Sequence, residues 1–459
     1  MCLAIRARIA NRSDTKVVGL RVVLRWAGWS ISHLASGLGG QAVGSGGSGP
    51  RRHGSYRHSS RILIILLCGL LDTVGNMPAI QPRLTYCSNV HPAPDLVSQL
   101  SALRDHTAPI AQAARQRGRA FGLGGWWPWS LVEELSSSEA ALAQLRGAMQ
   151  AIDVPLWTLN AFPFGDFHDA VVKTNVYVPD WGEQERMLYT IRCAEVGASF
   201  LKEGEVLPIS TLPLGYRGPG AAAANLDQMA GNLARLASNF SVLEAKTGVR
   251  CVLAIEPEPD CILETVEQTA AFLEQSVFAG ARNLVPEEQL RRHIGVCVDL
   301  CHLAVLGEDP AKALADLKAH GIEVPKIQVS SCLEVRRPEG IEELLTFVEP
   351  RYLHQAVAEN GLRSLDLDGV AARQTEFESA GRVRAHFHVP LDWDTDGALG
   401  STQQEVRGVL EGLAASSDPV PLLEVETYTW PVLGDRFGGA PLADLIQREL
   451  DWVAAFWKN

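Results

Sequence analysis

Short apolar runs that end in a carboxylate recur along this chain, and this repetition limits the folds that the chain can adopt. The run Ile294-Gly-Val-Cys-Val-Asp299 is continuously hydrophobic, and His302 follows three residues after its final acid. A parallel strand that is covered on both faces has this pattern, and the functional side chains of parallel barrels gather at the carboxyl ends of the strands. Residues 251–256, 384–388 and 421–426 repeat the design. We therefore expect four barrel-like strands that bring acids and imidazoles together.

Strand-like runs alternate with amphipathic helices from residue 84 onward. In the clearest helical segment, residues 222–247, apolar side chains recur every three or four positions and Gly248 follows as a stop signal. This alternation predicts an α/β fold, a (β/α)8 TIM barrel over residues 84–457. No Gly-x-Gly-x-x-Gly follows a predicted strand, which disfavours a dinucleotide-binding fold. The predicted strands cover residues 84–90, 120–127, 154–162, 208–213, 251–256, 294–299, 326–331, 384–390 and 421–427, with a tenth candidate at 352–357.

More runs are present than the eight strands that close a barrel. We therefore expect an insertion near residues 332–380, between the seventh and eighth units, that carries a short hairpin over the catalytic face.

Residues 1–76 differ in composition from the rest of the chain. They contain ten Lys or Arg and two Asp or Glu, a Gly/Ser tract at 37–49, and an apolar run at 62–71. Ten residues are too few to span a bilayer, which takes about 20, so no transmembrane span is expected. The segment has three interpretations: a disordered extension, a targeting segment, or a gene-model artefact ahead of Met77. The predicted location is cytoplasmic, or an organelle if residues 1–76 are a transit segment.

The remaining chain is strongly acidic. After residue 76 it holds 31 basic and 51 acidic residues, a net charge of −20. A protein that binds a polyanion needs a basic face, so we expect no nucleic-acid partner. The nine Cys lack paired spacing, and several fall within apolar runs, which is typical of reduced core residues in an intracellular protein.

The acids and imidazoles at the strand ends predict a divalent-metal site. Oxygen and imidazole ligands that converge from different strands suit Mn, Mg, Co or Zn, and the sequence does not distinguish these metals. The predicted ligands are Glu256, Asp299, Glu426 and either His386 or His388.

Other residues are candidates for roles beside the metal. His302 has three possible roles: it could orient a metal ligand through a hydrogen bond, contact the substrate, or bind a further metal. Glu424 lies on the same strand face as Glu426, so the two divide the roles of ligand, base and substrate contact.

The aromatic cluster after the second strand is a candidate substrate platform. Trp126 and Trp127 are predicted to stack on a sugar or polyol, or alternatively to pack against a neighbouring helix. Asn160 and the turn-rich loop after it are placed at the same mouth, where Lys173 could contact an anionic group.

Six motifs along the chain carry a family resemblance. They are Leu84-Thr-Tyr-Cys-Ser-Asn-Val-His91-Pro, Asn160-Ala-Phe-Pro-Phe-Gly165, Glu256-Pro-Glu-Pro-Asp260, Gly295-Val-Cys-Val-Asp299-Leu-Cys-His302, His386-Phe-His388-Val-Pro390 and Glu424-Val-Glu-Thr-Tyr-Thr-Trp430. Together they resemble the EboE family of metabolite traffic proteins, a member of the xylose isomerase-like barrel superfamily. The likeness covers residues 84–457 and implies a TIM barrel with a role in making or moving a secondary-metabolite precursor.

The superfamily includes sugar isomerases, sugar epimerases and endonuclease IV-type nucleases. Glu256, Asp299, His302 and Glu426 resemble the strand-end residues that these enzymes share. The chain departs from the three-metal nucleases because the histidines that those enzymes place after the second and third strands have no counterpart near Trp126 or Asn160, and because Gln328 stands where many relatives carry a ligand histidine. The resemblance therefore implies a one-metal site completed by His386 or His388.

These observations lead to one main hypothesis and two alternatives. The main hypothesis is a metal-dependent isomerase or epimerase that acts on a small polyhydroxylated metabolite, with Glu256, Glu426 and His302 as catalytic residues. It could work with other proteins of the same metabolite pathway. The alternatives are a non-catalytic barrel that binds and carries a metabolite, and an endonuclease IV-like phosphodiester hydrolase.

Overall fold

The computed structural model describes residues 21–26, 29–34, 81–221, 223–437 and 439–457, in two units, Met1–Ala79 and Ile80–Asn459. In the first unit, strands β1 (Arg21–Trp26) and β2 (Trp29–Leu34) pair as an antiparallel hairpin. The rest of the basic extension predicted for residues 1–76, including its Gly/Ser tract and its apolar run, lies outside the described residues.

The second unit begins with seven strands that match seven of the predicted runs. All seven are almost wholly buried, as expected of strands covered on both faces. They are β3 (Leu84–Tyr86), β4 (Leu123–Trp126), β5 (Leu156–Asn160), β6 (Val206–Thr211), β7 (Arg250–Ile255), β8 (Ile294–Asp299) and β9 (Lys326–Val329).

A five-stranded antiparallel sheet follows β9. Its strands are β10 (Cys332–Val335), β11 (Ala356–Ala358), β12 (Arg363–Ser364), β13 (Val383–His388) and β14 (Leu399–Ser401), in the spatial order β12-β11-β13-β10-β14. The prediction that residues 384–390 form a barrel-like strand is therefore wrong, because β13 belongs to this sheet. The sheet also reaches Ser401, well beyond the short hairpin predicted for residues 332–380.

Strand β15 (Leu422–Val425) then completes a closed parallel barrel. The eight barrel strands run in the order β3-β15-β9-β8-β7-β6-β5-β4. A parallel bridge between Cys87 and Gly124 joins the two ends of this series, next to β3 and β4. The second unit is thus a (β/α)8 TIM barrel, as predicted, with the antiparallel sheet inserted before its last strand.

Helices connect the strands and cover the barrel. Among the described residues they are α1 (Leu96–Ala102), α2 (Ala108–Gln116), α3 (Trp129–Ser137), α4 (Glu139–Ala151), α5 (Gln184–Ala198), α6 (Leu226–Thr247), α7 (Val266–Phe272), α8 (Glu287–His293), α9 (Leu300–Leu306), α10 (Pro310–Ala319), α11 (Gly340–Leu344), α12 (Leu367–Ala372), α13 (Gln374–Glu378), α14 (Gln403–Ala415), α15 (Trp430–Leu433) and α16 (Leu442–Ala454). None of the described helices combines the length and hydropathy needed to cross a membrane.

Helix α6 shows how local sequence sets these boundaries. The Asn225 side chain accepts a hydrogen bond from the Gln228 backbone N–H and caps the amino end. Gly248 ends the helix with a φ of 71°, a conformation that glycine adopts without steric cost. The predicted stop at this residue is confirmed.

Candidate metal centre

Three carboxylates from three barrel strands meet at the carboxyl end of the barrel. Glu256 follows β7, Asp299 ends β8 and Glu426 follows β15, and one oxygen of each lies within 4.8 Å of the others. All three are buried, with exposed fractions of 3%, 0% and 5%. None of them forms an ion pair with a Lys or Arg of the described chain. The predicted convergence of these residues is therefore what the structure shows.

Burial and mutual repulsion disfavour the charged forms of these acids. Burial, followed by the charges of Glu426 and Asp299, raises the pKa of Glu256 well above its usual value. Burial, followed by Asp299 and Glu424, raises the pKa of Glu426 to about 8. A bound cation would reverse this effect, because an opposite charge favours the ionised carboxylate.

Local sequence explains how Asp299 and His302 come to lie side by side. Asp299 is the last residue of β8 and the cap of α9, and its Oδ1 accepts a hydrogen bond from the His302 backbone N–H at 2.9 Å. Ser330 Oγ also donates to this oxygen at 2.8 Å. The other oxygen, Oδ2, has no hydrogen-bond partner within the described chain. The motif Asp-x-x-His thus orients one carboxylate oxygen and leaves the second free.

Three histidines of the site are each held through Nδ1. His302 Nδ1 donates to the Pro257 carbonyl at 2.9 Å, and His388 Nδ1 donates to the Glu426 carbonyl at 2.5 Å. His386 Nδ1 donates at 2.8 Å to Oε1 of Gln355. A neutral imidazole that donates from Nδ1 keeps a lone pair on Nε2, which is the usual arrangement of a metal-binding histidine.

The Nε2 atoms of these histidines turn toward one another and toward the carboxylates. His302 Nε2 lies 3.1 Å from His386 Nε2, and His388 Nε2 lies 4.0 Å from Asp299 Oδ2. Burial lowers the pKa of His386 well below its usual value and that of His388 to about 4, so both rings are neutral near pH 7. Two lone pairs facing each other at 3.1 Å repel unless a proton or a cation lies between them.

The donor atoms form overlapping groups that fit a divalent metal. Glu256, Asp299 and Glu426 form one group, and His388 joins Asp299 and His302 in a second. Hard carboxylate oxygens combined with imidazole nitrogens suit Zn, Mn, Co or Mg. The unpartnered Glu256 Oε2, Asp299 Oδ2 and His388 Nε2 are buried lone pairs of the kind that a cation satisfies.

A third group contains Glu258. Its carboxylate lies within reach of His302 and His386, with its Oε1 3.6 Å from His386 Nδ1. The Tyr177 hydroxyl donates to the same oxygen at 2.7 Å. Burial raises the pKa of Glu258 to about 7. In the sequence Glu258 was only a part of the Glu256–Asp260 motif, whereas the structure buries it beside the imidazoles.

Two asparagines hold Glu426 in place. Asn89 and Asn160 both donate to its Oε1, at 2.8 and 3.1 Å. Asn160 was predicted at the mouth and is found there, but Asn89 was not predicted. The signal for it was present, because Asn89 follows β3 just as the other site residues follow their strands.

A cavity opens above these groups, and the empty space within it, including the part open to solvent, is about 530 Å³. Its floor contains Asn89, Asn160, Glu256, Glu258, His302, His386 and Glu426, and its walls come from the loop after β5 and from the inserted sheet. Gln355, which orients His386, comes from the insert as well, and its Nε2 donates to the Pro259 carbonyl at 3.1 Å. The insertion therefore contributes the imidazoles of His386 and His388, both on β13, and the Gln355 side chain that holds His386.

Two groups of predicted site residues lie elsewhere. Glu424 faces the barrel interior, where its Oε2 pairs with Lys326 Nζ at 2.5 Å, so it does not contact the cavity. Trp126 and Trp127 have exposed fractions of 0% and 1% and pack in the core, so the predicted sugar-stacking platform is wrong. The Trp127 ring packs against Phe200, in the turn that follows α5.

The fold and this centre define the protein as a (β/α)8 barrel with a buried site that fits a divalent metal. No protein-family model and no curated protein matches the sequence. The structure is similar to that of the IolI protein with a bound zinc atom, over 82% of this chain and 99% of that chain, at 12% identity and a TM-score of 0.42. It is also similar to a family 2 AP endonuclease from Brucella melitensis, over 54% of this chain and 78% of that chain, at 11% identity and a TM-score of 0.33. Membership of the EboE family stays a prediction.

Proposed function

We propose that this protein is a divalent-metal-dependent isomerase or epimerase that acts on a small metabolite with adjacent carbonyl and hydroxyl groups. The observation that carries the proposal is the convergence of three buried carboxylates with imidazole lone pairs in one cavity. The chain supplies no Lys or Arg partner for these acids among its described residues. Within the proposal, the EboE resemblance assigns the metabolite to a secondary-metabolite pathway.

The chemistry follows from where the donor atoms lie. A divalent metal held by Glu256, Asp299, Glu426 and His388 would polarise the substrate carbonyl and favour loss of the proton on the neighbouring carbon. The chain itself has to accept and return that proton. Glu258 is placed for this task, because it lines the cavity and its Oε2 has no hydrogen-bond partner within the described residues.

Other residues orient the reacting groups. Asn89 and Asn160 fix Glu426, and the Tyr177 hydroxyl fixes Glu258. We had expected Glu424 to share the base role with Glu426. Its ion pair with Lys326 removes it from that role, and Glu258 takes its place in the proposal.

The nuclease alternative receives little support from the charges of the cavity. Lys173 is the only Lys or Arg among the described lining residues. Its ammonium already meets the Glu349 carbonyl at 3.1 Å, the Tyr352 carbonyl at 2.6 Å and Asp366 Oδ2 at 2.6 Å. A phosphodiester would find no free cationic side chain among the described residues that line this cavity.

Metal analysis of the purified protein tests the proposal. We expect one Mn, Zn or Co per chain after dialysis against a mixture of divalent ions, and loss of that metal in the Glu256→Ala, Asp299→Ala double variant. A Glu195→Ala, Asp316→Ala variant removes two exposed acids on the helices and serves as the matched control. Unchanged metal content in the first variant would overturn the assignment of the ligands.

Isotope exchange tests the catalytic step. In deuterated buffer, the metal-loaded enzyme should transfer solvent deuterium to the carbon beside the carbonyl of a ketol substrate, and Glu258→Gln should slow this at least 100-fold while metal content stays the same. A barrel that only carries a metabolite would bind the ketol without exchange. That result would favour the carrier alternative.

A further inference from the structure

The cavity has two chemically different parts that come from different elements of the fold. The polar part comes from the ends of the barrel strands and from the insert histidine, as described above. The apolar part comes from the loop between β5 and α5 and from the insert, and its side chains are Phe162, Phe167, Val172, Val176, Tyr352 and Leu353. A ligand that fills the cavity therefore meets both hydrogen-bonding groups and hydrocarbon surface.

The apolar wall is a packed structure. The Phe167 ring lies 5.0 Å from the Tyr352 ring and 5.3 Å from the Tyr428 ring, and Tyr352 and Tyr428 are themselves 5.0 Å apart. Rings at these separations pack favourably. Val172 and Val176 pack against the same cluster, in the segment around Lys173. The wall therefore keeps its shape without a ligand.

The wall offers few partners to hydroxyl groups. The ammonium of Lys173 has three acceptors already, and the valine, leucine and phenylalanine side chains have no polar atom. The Tyr352 hydroxyl is the one polar group among the six side chains of this wall, and it is buried without a hydrogen-bond partner in the described chain. A hydroxyl placed against the valine, leucine and phenylalanine side chains loses its hydrogen bonds to water without replacement, which is unfavourable. A sugar that carries hydroxyls along its whole length fits the polar part but not this wall.

We propose that the substrate has a hydroxy-ketone or hydroxy-aldehyde head and a compact apolar body, such as an aryl ring. The head meets the polar part and the body rests on the Phe167, Val172, Val176 and Leu353 side chains. This inference rests on the proposed function and narrows the class of substrate. The sequence predicted a polyhydroxylated metabolite, whereas the substrate inferred here carries its hydroxyl group only on the head.

Two probes with the same head and different bodies test the inference. 2-Hydroxyacetophenone carries a phenyl ring and 1,3-dihydroxyacetone carries a hydroxymethyl group on the same hydroxy-ketone. Calorimetric titration of the manganese-loaded full chain should show at least 30-fold tighter binding of 2-hydroxyacetophenone. Equal affinity, or preference for dihydroxyacetone, would overturn the inference.

An isosteric change in the wall sharpens the test. Val176→Thr keeps the side-chain shape and adds a hydroxyl, so it should weaken binding of 2-hydroxyacetophenone about fivefold to tenfold and leave dihydroxyacetone unchanged. Val171→Thr is the matched control, since Val171 lies on the same loop and is 56% exposed. Equal effects of both variants on the aryl probe would contradict the assigned wall.

The same titrations separate this inference from the proposed function. Because the preference for the aryl body comes from the wall, it should persist in the metal-free protein at lower affinity. Absence of metal binding with a retained aryl preference would overturn the proposed function alone. Metal binding without an aryl preference would overturn this inference alone.

Discussion

Two buried glutamates that are two residues apart, Glu424 and Glu426, have opposite surroundings. Glu424 Oε2 meets Lys326 Nζ at 2.5 Å inside the barrel, and Ser210 Oγ lies 3.1 Å from the same ammonium. Glu426 accepts hydrogen bonds from two asparagine amides and has Glu256 and Asp299 as its neighbours. The chain neutralises Glu424, the inner acid, whereas none of its described Lys or Arg side chains forms an ion pair with Glu256, Asp299 or Glu426, the outer acids. A buried acid with its own lysine partner thus belongs to the barrel interior, and buried acids without such a partner belong to the candidate site.

The largest expected effect comes from breaking the ion pair between Lys326 and Glu424, which we call the inner pair. Lys326→Met leaves Glu424 buried without its cation, so the free energy of unfolding should fall by about 3–5 kcal/mol in urea titrations. The Lys326→Met, Glu424→Gln double variant removes both charges and should recover most of this loss. A single-variant loss below about 1 kcal/mol would contradict the structural role of the pair.

The outer acids should instead make stability depend on pH. The pKa of Glu426 is raised to about 8 and that of Glu256 is raised as well, so above pH 7, where the buried histidines are neutral in both states, these two acids hold more protons in the folded metal-free protein than in the unfolded chain. The free energy of unfolding should therefore fall as the pH rises from 7 to 8.5, by roughly 1–2 kcal/mol. Urea unfolding in EDTA at pH 7 and 8.5 measures this. The Lys326→Met, Glu424→Gln variant should keep the same slope.

Removing one outer charge should stabilise the metal-free protein. Asp299→Asn retains the oxygen that accepts from the His302 backbone and from Ser330, and it relieves repulsion with Glu256 and Glu426. We expect a gain of about 1–2 kcal/mol without metal. Manganese at 100 times its dissociation constant should stabilise the parent by about 2.7 kcal/mol and leave the variant unchanged. A less stable metal-free variant would argue against repulsion at the site.

The smallest expected effect on stability comes from removing the hydrogen bond between Ser210 and the Lys326 ammonium of the inner pair. Ser210→Ala removes the hydroxyl 3.1 Å from Lys326 Nζ and should cost about 1 kcal/mol of unfolding free energy. Metal content should not change. A change in metal content would mean that the inner layer and the outer acids act as one network.

Residues that end parallel strands were predictable from the sequence. An apolar run that stops at an acid indicates both a buried strand and the edge at which it ends, so Glu256, Asp299 and Glu426 followed from local patterns. Once eight such strands close into a barrel, their carboxyl ends lie at one face, so the convergence of these acids could be predicted as well. His302 followed as well, because it lies one helical turn after Asp299.

Residues whose roles depend on distant partners were not predictable. The run around His386 and His388 is buried like a barrel strand, and hydrophobicity alone does not distinguish a buried antiparallel strand from a parallel one. Glu424 looked like a second site acid because its cation, Lys326, is 98 residues away in the sequence. An aromatic pair such as Trp126 and Trp127 fits a core and a binding surface equally well, and burial decides between them.

The hydrogen bond from Asn89 to Glu426 joins residues that are 337 positions apart. It has a consequence for the order in which the protein matures on the ribosome. The early strands can pair while translation continues, but Asn89 has no acceptor until residue 426 has emerged. His388 also obtains its backbone acceptor from residue 426. A nascent or truncated chain that lacks β15 and the residues after it cannot form these contacts, so the candidate metal centre assembles only after this strand has been made.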